Sequence, residues 1–331
     1  MTEDNKKHTM LDDKPLVTFA LFAYNQEKFI REAINGVLAQ NYSSLQVVFS
    51  DDCSSDNTFS IMQEVAAQYR GPHQIVLNRN PKNQGTVSHV NTVMRLCHGD
   101  FILVAAGDDI SLPERTKVLV EKWIELGGGA LSLHSSVMQI DANGNQLQVR
   151  KPLLPISSFE PGCIIGAAQG WSKMVFEKFD DLESGPLVED IPIAFRSWLL
   201  DGVFYIDQPL VLYRVGGITA GHGINNTERK VKQLTRWSEL YSQMLIDLKK
   251  LGGQSHPMHH ILEERIQACK ILVTLVSSNS SIVEIWKNRK IFKGFLRKEI
   301  FRYYFPKVIS LGERIVRTWK TAVNILKKSS R

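Results

Sequence analysis

Two adjacent carboxylates, Asp108-Asp109, end the apolar run Phe101–Ala106 and are the residues best suited to chemistry. An apolar run of that length reads as a buried strand. The C-terminal end of a strand is where an open α/β sheet presents its ligand crevice. Two acids side by side repel each other unless a positive charge lies between them, and a divalent cation holding a phosphate meets that need. A second pair, Asp51-Asp52, ends the β-prone run Leu45–Ser50. It leads into Cys53-Ser54-Ser55-Asp56-Asn57-Thr58, a turn rich in capping residues that opens a helix. A third run, Val17–Ala23, ends at Tyr24-Asn25-Gln26-Glu27 and also feeds a helix. Three strands therefore end in polar loops able to face a nucleotide.

The elements that must position these loops alternate over residues 15–125. The pattern predicts strands at Val17–Ala23, Gln46–Ser50, Gln74–Leu77 and Phe101–Ala105. Helices are predicted near Glu27–Ala39, Thr58–Tyr69, Thr86–Leu96 and Pro113–Leu126. In the first helix Phe29, Ile30, Ala33, Val37 and Leu38 recur at helical spacing and form a core-facing stripe. Strand-helix alternation is the signature of a parallel sheet with right-handed crossovers. Beyond Gly127-Gly128-Gly129 the pattern changes. Ala130–Ile140 reads as a strand, and Asp141–Asn145 as a turn between paired strands. Ile164–Phe179 reads as loop then helix, Val188–Leu200 as helix, and Val203–Ile206 and Leu210–Tyr213 as short strands around Asp207-Gln208-Pro209. This half is expected to extend the same sheet. After Gly223 the spacing is helical, with breaks at Gly252-Gly253, Ser277–Ser281 and Pro306. The expected division is a polar, disordered segment at 1–14, a catalytic domain at 15–222 and a basic helical extension at 223–331.

With 331 residues, 43% hydrophobic and 22% charged, the composition is that of a soluble globular protein. The four cysteines are scattered, with no Cys-x-x-Cys, which suits a reducing cytoplasm. The first 14 residues lack the apolar core of a secretory signal, and no run approaches a membrane span. Net charge is +6 but uneven: Lys287 to Arg331 holds 14 Lys or Arg against Glu299 and Glu313. An acidic body thus carries a basic tail. Two apolar stripes run through that tail, one including Phe292, Phe295 and Phe301, the other Ile315, Trp319 and Val323. Basic helices with aromatic faces suit an anionic membrane surface, so the expected location is peripheral, on the cytoplasmic face of the membrane. The alternative is packing against the catalytic domain. No nucleic-acid reading module is present.

These residues resemble the family 2 glycosyltransferases, nucleotide-sugar-dependent enzymes of bacterial surface-polysaccharide type. The resemblance runs from about Pro15 to Arg214 and rests on motifs in order: Ala23–Glu27, Asp51-Asp52 through Thr58, Asn80–Gly85, Gly107-Asp108-Asp109 with Pro113, Glu189-Asp190 opening a helix, and Leu212-Tyr213-Arg214. It implies the GT-A fold, a Rossmann-like, mostly parallel sheet flanked by helices. The implied reaction is inverting, metal-assisted transfer from a nucleotide-sugar donor to a glycan or lipid-linked glycan, in O-antigen, capsule or exopolysaccharide synthesis. Carried over residue by residue, Ala23, Tyr24, Asn25, Glu27, Asp52, Asn83, Gly85 and Asp108 would bind the nucleotide sugar. Asp108 and Asp109 would hold Mn2+ or Mg2+, one of the two serving as the ribose contact. Asp190 would be the general base, with Glu189 raising its pKa by like-charge repulsion.

Departures from the pattern sharpen the alternatives. Ala106 stands where relatives often carry a first metal-site Asp, and Gly216 where many carry a His. His222 is then either a further diphosphate or metal contact or a surface histidine. Trp171 is either a stacking platform for an acceptor sugar or core. Lys173 and Arg196 read as solvated or salt-bridged side chains. His89, His98 and His134 lack zinc-ligand spacing, and Cys53 has no candidate His to activate it. A nucleotidyltransferase would advertise a Gly-rich basic loop after the first strand, which Ala23–Glu27 is not. The remaining rival is a non-catalytic GT-A-fold protein that binds nucleotide or glycan only.

Overall fold

The computed structural model describes residues 14–43, 45–152, 164–183, 189–216 and 226–278. The basic tail expected to meet a membrane, and His222, lie outside these residues. Strands β1 (Val17–Ala23), β2 (Leu45–Asp51), β3 (Gln74–Arg79) and β4 (Phe101–Ala106) alternate with helices α1 (Ile30–Leu38), α2 (Thr58–Gln68) and α3 (Thr86–Met94). Strands β1, β2 and β4 are buried along almost their whole length because both faces of the sheet are covered, and the polar Thr18 and Gln46 within them pair with each other at 2.6 Å. Their parallel register places Ala23 beside Asp51 and Phe22 beside Ala106. The three loops singled out in the sequence therefore leave the same edge of the sheet.

The second half adds β5 (Ile110–Ser111), α4 (Arg115–Glu125), β6 (Ser132–Ile140), β7 (Gln146–Arg150), β8 (Gln169–Ser172), α5 (Met174–Lys178), α6 (Asp190–Leu199) and β9 (Val203–Arg214). The strand order is β3-β2-β1-β4-β8-β6-β9-β5, with β7 also paired to β6. The sheet is parallel through β3, β2, β1 and β4 and between β6 and β9; β8, β7 and β5 pair antiparallel. Strand β5 follows β4 after only Gly107-Asp108-Asp109, yet it stands at the far end of the order. The sheet must curl to bring its ends together, and that short connection carries the acidic pair.

Two readings of the sequence change here. The stretch read as loop then helix at Ile164–Phe179 contains a short 3-10 turn, Gly166–Ala168, and strand β8 before the helix. Strand β8 forms because β4 and β6 both need a partner there, and Gly170 leaves room for the Phe101 ring, which a Cβ would meet at 2.5 Å. The two short strands around Asp207-Gln208-Pro209 are one strand, β9, whose register against β6 shifts between Ser135 and Val137 to absorb the proline.

Helices α7 (Asn226–Lys250) and α8 (Pro257–Ser277) form an antiparallel pair broken at Gly252-Gly253, as the spacing predicts. Among the described residues no helix is long and apolar enough to cross a membrane. The core does not stop at the expected domain boundary. Trp171, Ile191, Phe195, Tyr241, Met244, Leu248 and Leu262 belong to one buried cluster. At its centre Arg196 of α6 makes two hydrogen bonds of 2.9 Å to Asp247 of α7, which also accepts from Gln243 at 3.0 Å. Both charges are almost fully buried, so Arg196 is the salt-bridged alternative of the sequence reading. Removing one buried partner leaves the other unpaired. Arg196→Met is therefore expected to cost about 3–5 kcal/mol in urea denaturation, and Asp247→Leu added to it to recover most of the loss. Equal losses in the single and double variants would show that the pair is not the joint between these helices.

Candidate active site

The loop after β1 and the loop after β2 are stitched together by their polar side chains. Asn25 adopts a left-handed conformation (φ +53°), and its Oδ1 accepts from the Ser55 amide at 2.8 Å. Glu27 Oε2 accepts from the Asn57 amide at 3.1 Å and from Asn57 Nδ2 at 3.0 Å. Burial works to raise the Asp56 carboxyl, but it accepts from the Thr58 hydroxyl at 2.6 Å and from the Thr58 and Glu27 amides, and these bonds hold it below the usual carboxylate range. The Ala23 carbonyl accepts from the Asp52 amide at 3.0 Å. Asn25, Glu27 and Ala23 thus spend these atoms on building the loop pair. Tyr24 is 45% exposed and presents its ring at the rim.

Asp52 is buried and organises a third loop. Its Oδ1 accepts from Asn80 Nδ2 at 2.7 Å and the Gln84 amide at 2.9 Å; its Oδ2 accepts from the Gly85 amide at 3.0 Å. Asn83 Oδ1 accepts from the same Gly85 amide at 3.0 Å. Gly85 begins α3 with φ +77° and ψ 162°, a conformation essentially reserved for glycine, and an added Cβ would meet open space. Beneath this loop His89 Nε2 is hydrogen-bonded to Ser50 Oγ at 2.6 Å, and Asn78 Nδ2 donates to Ser50 Oγ at 2.9 Å and to Asn80 Oδ1 at 3.2 Å. Burial lowers the His89 pKa, opposed by the charges of Asp52 and Asp51. Nothing in one sequence marks His89 and Ser50 as partners, because 39 residues separate them.

The turn after β4 is held from two sides. Gly107 packs so closely on the β1 loop that a Cβ would lie 2.3 Å from Gln26 Oε1 and 3.0 Å from Ala23 Cβ. On the other side Arg214, at the end of β9, donates its backbone amide to Asp109 Oδ1 at 2.8 Å and its Nε to the Asp108 carbonyl at 3.0 Å. Its guanidinium also reaches the Asp141 and Ala142 carbonyls at 3.1 Å and Glu32 of α1 at 2.8 Å, and stacks over Phe29. Arg115, fully buried, ties Ser111 to the Val104 and Gln169 carbonyls.

Burial, then the charge of Asp108, pushes Asp109 up to about 8 despite the Arg214 amide and the nearby Arg115 and Arg214 charges. Burial raises Asp108 as well. Among the described residues no three His, Cys, Asp or Glu converge into a ready cage. Two adjacent hard-oxygen donors whose ionised forms are disfavoured by burial nonetheless fit a divalent cation that takes its remaining ligands from phosphate and water.

The acid pair opens α6. Glu189 and Asp190 are half-buried. Burial, then the charge of Asp190, pushes Glu189 up to about 7. Burial pushes Asp190 up to about 6, countered by its bond from the Ile191 amide at 2.8 Å and by the charge of Arg150. The Asp190 carboxylate lies against Gly166, where an added Cβ would sit 3.4 Å from Oδ2. Tyr213 has its hydroxyl in the field of acids from both places. Burial, then the charges of Asp109, Asp108 and Asp190, raises its hydroxyl, and Arg150 opposes them. Arg150 lies over the Tyr213 ring at 6.0 Å. The sequence reading quotes Tyr213 without a role and does not single out Arg150 or Arg115; no local spacing marks them. Trp171 is fully enclosed in β8, and its indole N–H donates to Gln169 Oε1 at 2.8 Å. It has no face to offer an acceptor and is core, which corrects its reading as a stacking platform.

Residues 18–152 match the family model Glycosyl transferase family 2. The chondroitin synthase of Escherichia coli is 34% identical over 109 residues, 33% of this chain and 15% of that protein. The succinoglycan biosynthesis protein ExoO of Rhizobium meliloti is 26% identical over 176 residues, 51% of this chain and 49% of that protein. The chain thus spans under half the length of each of these relatives. The mannosyltransferase PcManGT of Pyrobaculum calidifontis, solved with GDP-Man and Mn2+, shares the fold at a TM-score of 0.53 and 14% identity, covering 94% of this chain and 84% of its own. The strand-end loops, their acidic residues and the family match agree that residues 18–152 form a glycosyl transferase family 2 domain.

Proposed function

We propose that this protein is an inverting, metal-assisted glycosyltransferase that moves a sugar from a nucleotide-sugar donor to a glycan or lipid-linked glycan acceptor in cell-surface polysaccharide synthesis. The observation that carries this reading is the match of residues 18–152 to a glycosyltransferase family, supported by the acidic turn after β4 that Arg214 holds and by the Glu189-Asp190 pair at the start of α6. The loops of Tyr24, Asp52 and Gly85 would receive the nucleotide at the strand ends. Mn2+ or Mg2+, held by Asp108 and Asp109, would supply positive charge to the departing diphosphate. Asp190 would accept the proton of the acceptor hydroxyl as that oxygen bonds to the anomeric carbon and the bond to the diphosphate oxygen breaks. Burial and like-charge repulsion within the Glu189-Asp190 pair would keep a base poised near neutral pH.

The experiment offers the full-length protein a panel of nucleotide sugars with Mn2+, and compares Asp190→Asn. Asp190→Asn is expected to lose turnover by about 10²–10⁴-fold while still binding donor. A raised base pKa puts the acid limb of turnover near pH 6–7, with rate rising as pH rises through it. Nucleotide binding without turnover of any donor would favour a binding-only protein. Undiminished transfer by Asp190→Asn would remove Asp190 as the base.

The polar tail belongs to the same proposal. Its 14 Lys or Arg between residues 287 and 331 would hold the enzyme on the anionic cytoplasmic face of a membrane, beside a lipid-linked acceptor. Each engaged basic residue contributes about 1 kcal/mol near such a surface. Full-length protein is expected to float with liposomes containing anionic lipid at low salt, and protein truncated after Asn279 to remain behind. Equal flotation of the two would withdraw the membrane reading.

A further inference from the structure

A closed circuit of hydrogen bonds lies beneath the Asn80–Gly85 loop. His89 Nε2 is 2.6 Å from Ser50 Oγ. Ser50 stands opposite Asn78 in the β2–β3 register, and Asn78 Nδ2 gives one hydrogen to Ser50 Oγ at 2.9 Å and the other to Asn80 Oδ1 at 3.2 Å. Asn80 Nδ2 donates to Asp52 Oδ1 at 2.7 Å, and the Gly85 amide donates to Asp52 Oδ2 at 3.0 Å. The Gly85 carbonyl accepts from the His89 amide at 3.0 Å, which returns the circuit to its start. His89 thus enters it twice, by imidazole and by backbone. Phe22 of β1 packs on the imidazole in a T-shaped contact at 5.2 Å.

We propose that His89 is a positioning residue for the nucleotide: through Ser50, Asn78 and Asn80 it fixes the Asp52 carboxylate so that Oδ2 presents an acceptor position to an N–H or O–H of the nucleoside. The proposal deepens the reading that the loops of Tyr24, Asp52 and Gly85 receive the nucleotide, and rests on it. His89, Ser50, Asn80 and Asp52 are buried, so deleting one member leaves its neighbours unpaired away from water. A neutral imidazole can take the Ser50 hydroxyl hydrogen at Nε2 while Ser50 Oγ accepts from Asn78, so Ser50 serves both neighbours. Burial favours that neutral form, opposed by the charges of Asp52 and Asp51. The consequence falls on Asp52. Its Oδ1 takes two donors, Asn80 Nδ2 and the Gln84 amide, whereas its Oδ2 takes the Gly85 amide alone. A carboxylate oxygen has about two acceptor positions, so the one left for a ligand is on Oδ2.

The test is calorimetric titration of the full-length protein with UDP and with GDP in Mn2+, each variant being compared with the parent on the nucleotide that the parent binds. Ser50→Ala and His89→Leu are each expected to weaken binding by about three- to tenfold, the scale of one lost hydrogen bond. The double variant is expected to be no weaker than the weaker single one, because both break the same circuit. His89→Gln, whose side-chain amide reaches the place of Nε2, is expected to stay within about twofold of the parent. The gain in affinity from Mn2+ over chelator should match the parent's in every variant, because Asp108 and Asp109 are untouched. Should His89→Leu not fold, His89→Phe, which keeps an aromatic ring against Phe22, takes its place. Parent-like binding in either single variant would overturn the proposal. So would additive losses in the double variant, or a loss in His89→Gln equal to that in His89→Leu. A diminished Mn2+ gain would overturn it too, because the whole site would then have loosened. Failure of the nucleotide reading appears separately, as parent-like binding by Asp52→Ala, and takes this proposal with it.

Discussion

The site depends on the hydrogen bond by which the Arg214 amide grips the Asp109 carboxylate, at 2.8 Å and across 105 residues of chain. Without it the three-residue connection between β4 and β5 would keep its anchor to β1 through Gly107 and lose the bond that joins its last carboxylate to β9. The same arginine spends its guanidinium on the Asp108 carbonyl, on the turn between β6 and β7 and on Glu32 of α1. One residue thus ties the acidic turn, the edge hairpin and the first helix into one rigid frame. Buried Asp109 and half-buried Asp108 are then held side by side, where burial disfavours their charge, and a cation at this turn would offset that penalty.

A similar economy governs the loops proposed to receive the nucleotide. Asp52 satisfies three donors of the Asn80–Gly85 loop, while Asn25, Glu27 and Asp56 fasten the two neighbouring loops. Acidic residues that look like ligand contacts in the sequence are first of all the framework of the loops. A carboxylate has about four acceptor positions, so Asp52 retains capacity for a ligand donor after its three bonds. The buried chain from His89 through Ser50 and Asn78 to Asn80 supports that framework from below.

The parallel half of the fold was legible in the sequence because its signals are local. The runs Val17–Ala23 and Phe101–Ala106 are apolar from end to end, and each stops at a polar turn. The loops that follow carry their capping and turn residues with them. What was not legible depends on neighbours distant in the chain. Strand β8, Gln169-Gly170-Trp171-Ser172, has no strand-like composition and exists because β4 and β6 flank it. Trp171 is enclosed by that pairing. Arg150 and Tyr213 meet only through the β7-β6-β9 register, and Arg115 finds its carbonyl partners only once β4 and β8 are side by side. The acid pair shows the same division: Glu189-Asp190 is visible as a motif, whereas its raised pKa values come from burial and from the charges assembled around it.

The central proposal is that the fastened Asp108-Asp109 turn would bind a nucleoside diphosphate through a divalent cation. Calorimetric titration of the full-length protein with UDP and with GDP, in Mn2+ and again in a chelator, tests it most directly, with Asp108→Ala/Asp109→Ala measured alongside. The account expects at least one of the two nucleotides to bind in Mn2+, with affinity falling at least tenfold in chelator and no metal enhancement in the double variant. Nucleotide binding of equal strength with and without the cation, or unchanged in the double variant, would contradict it.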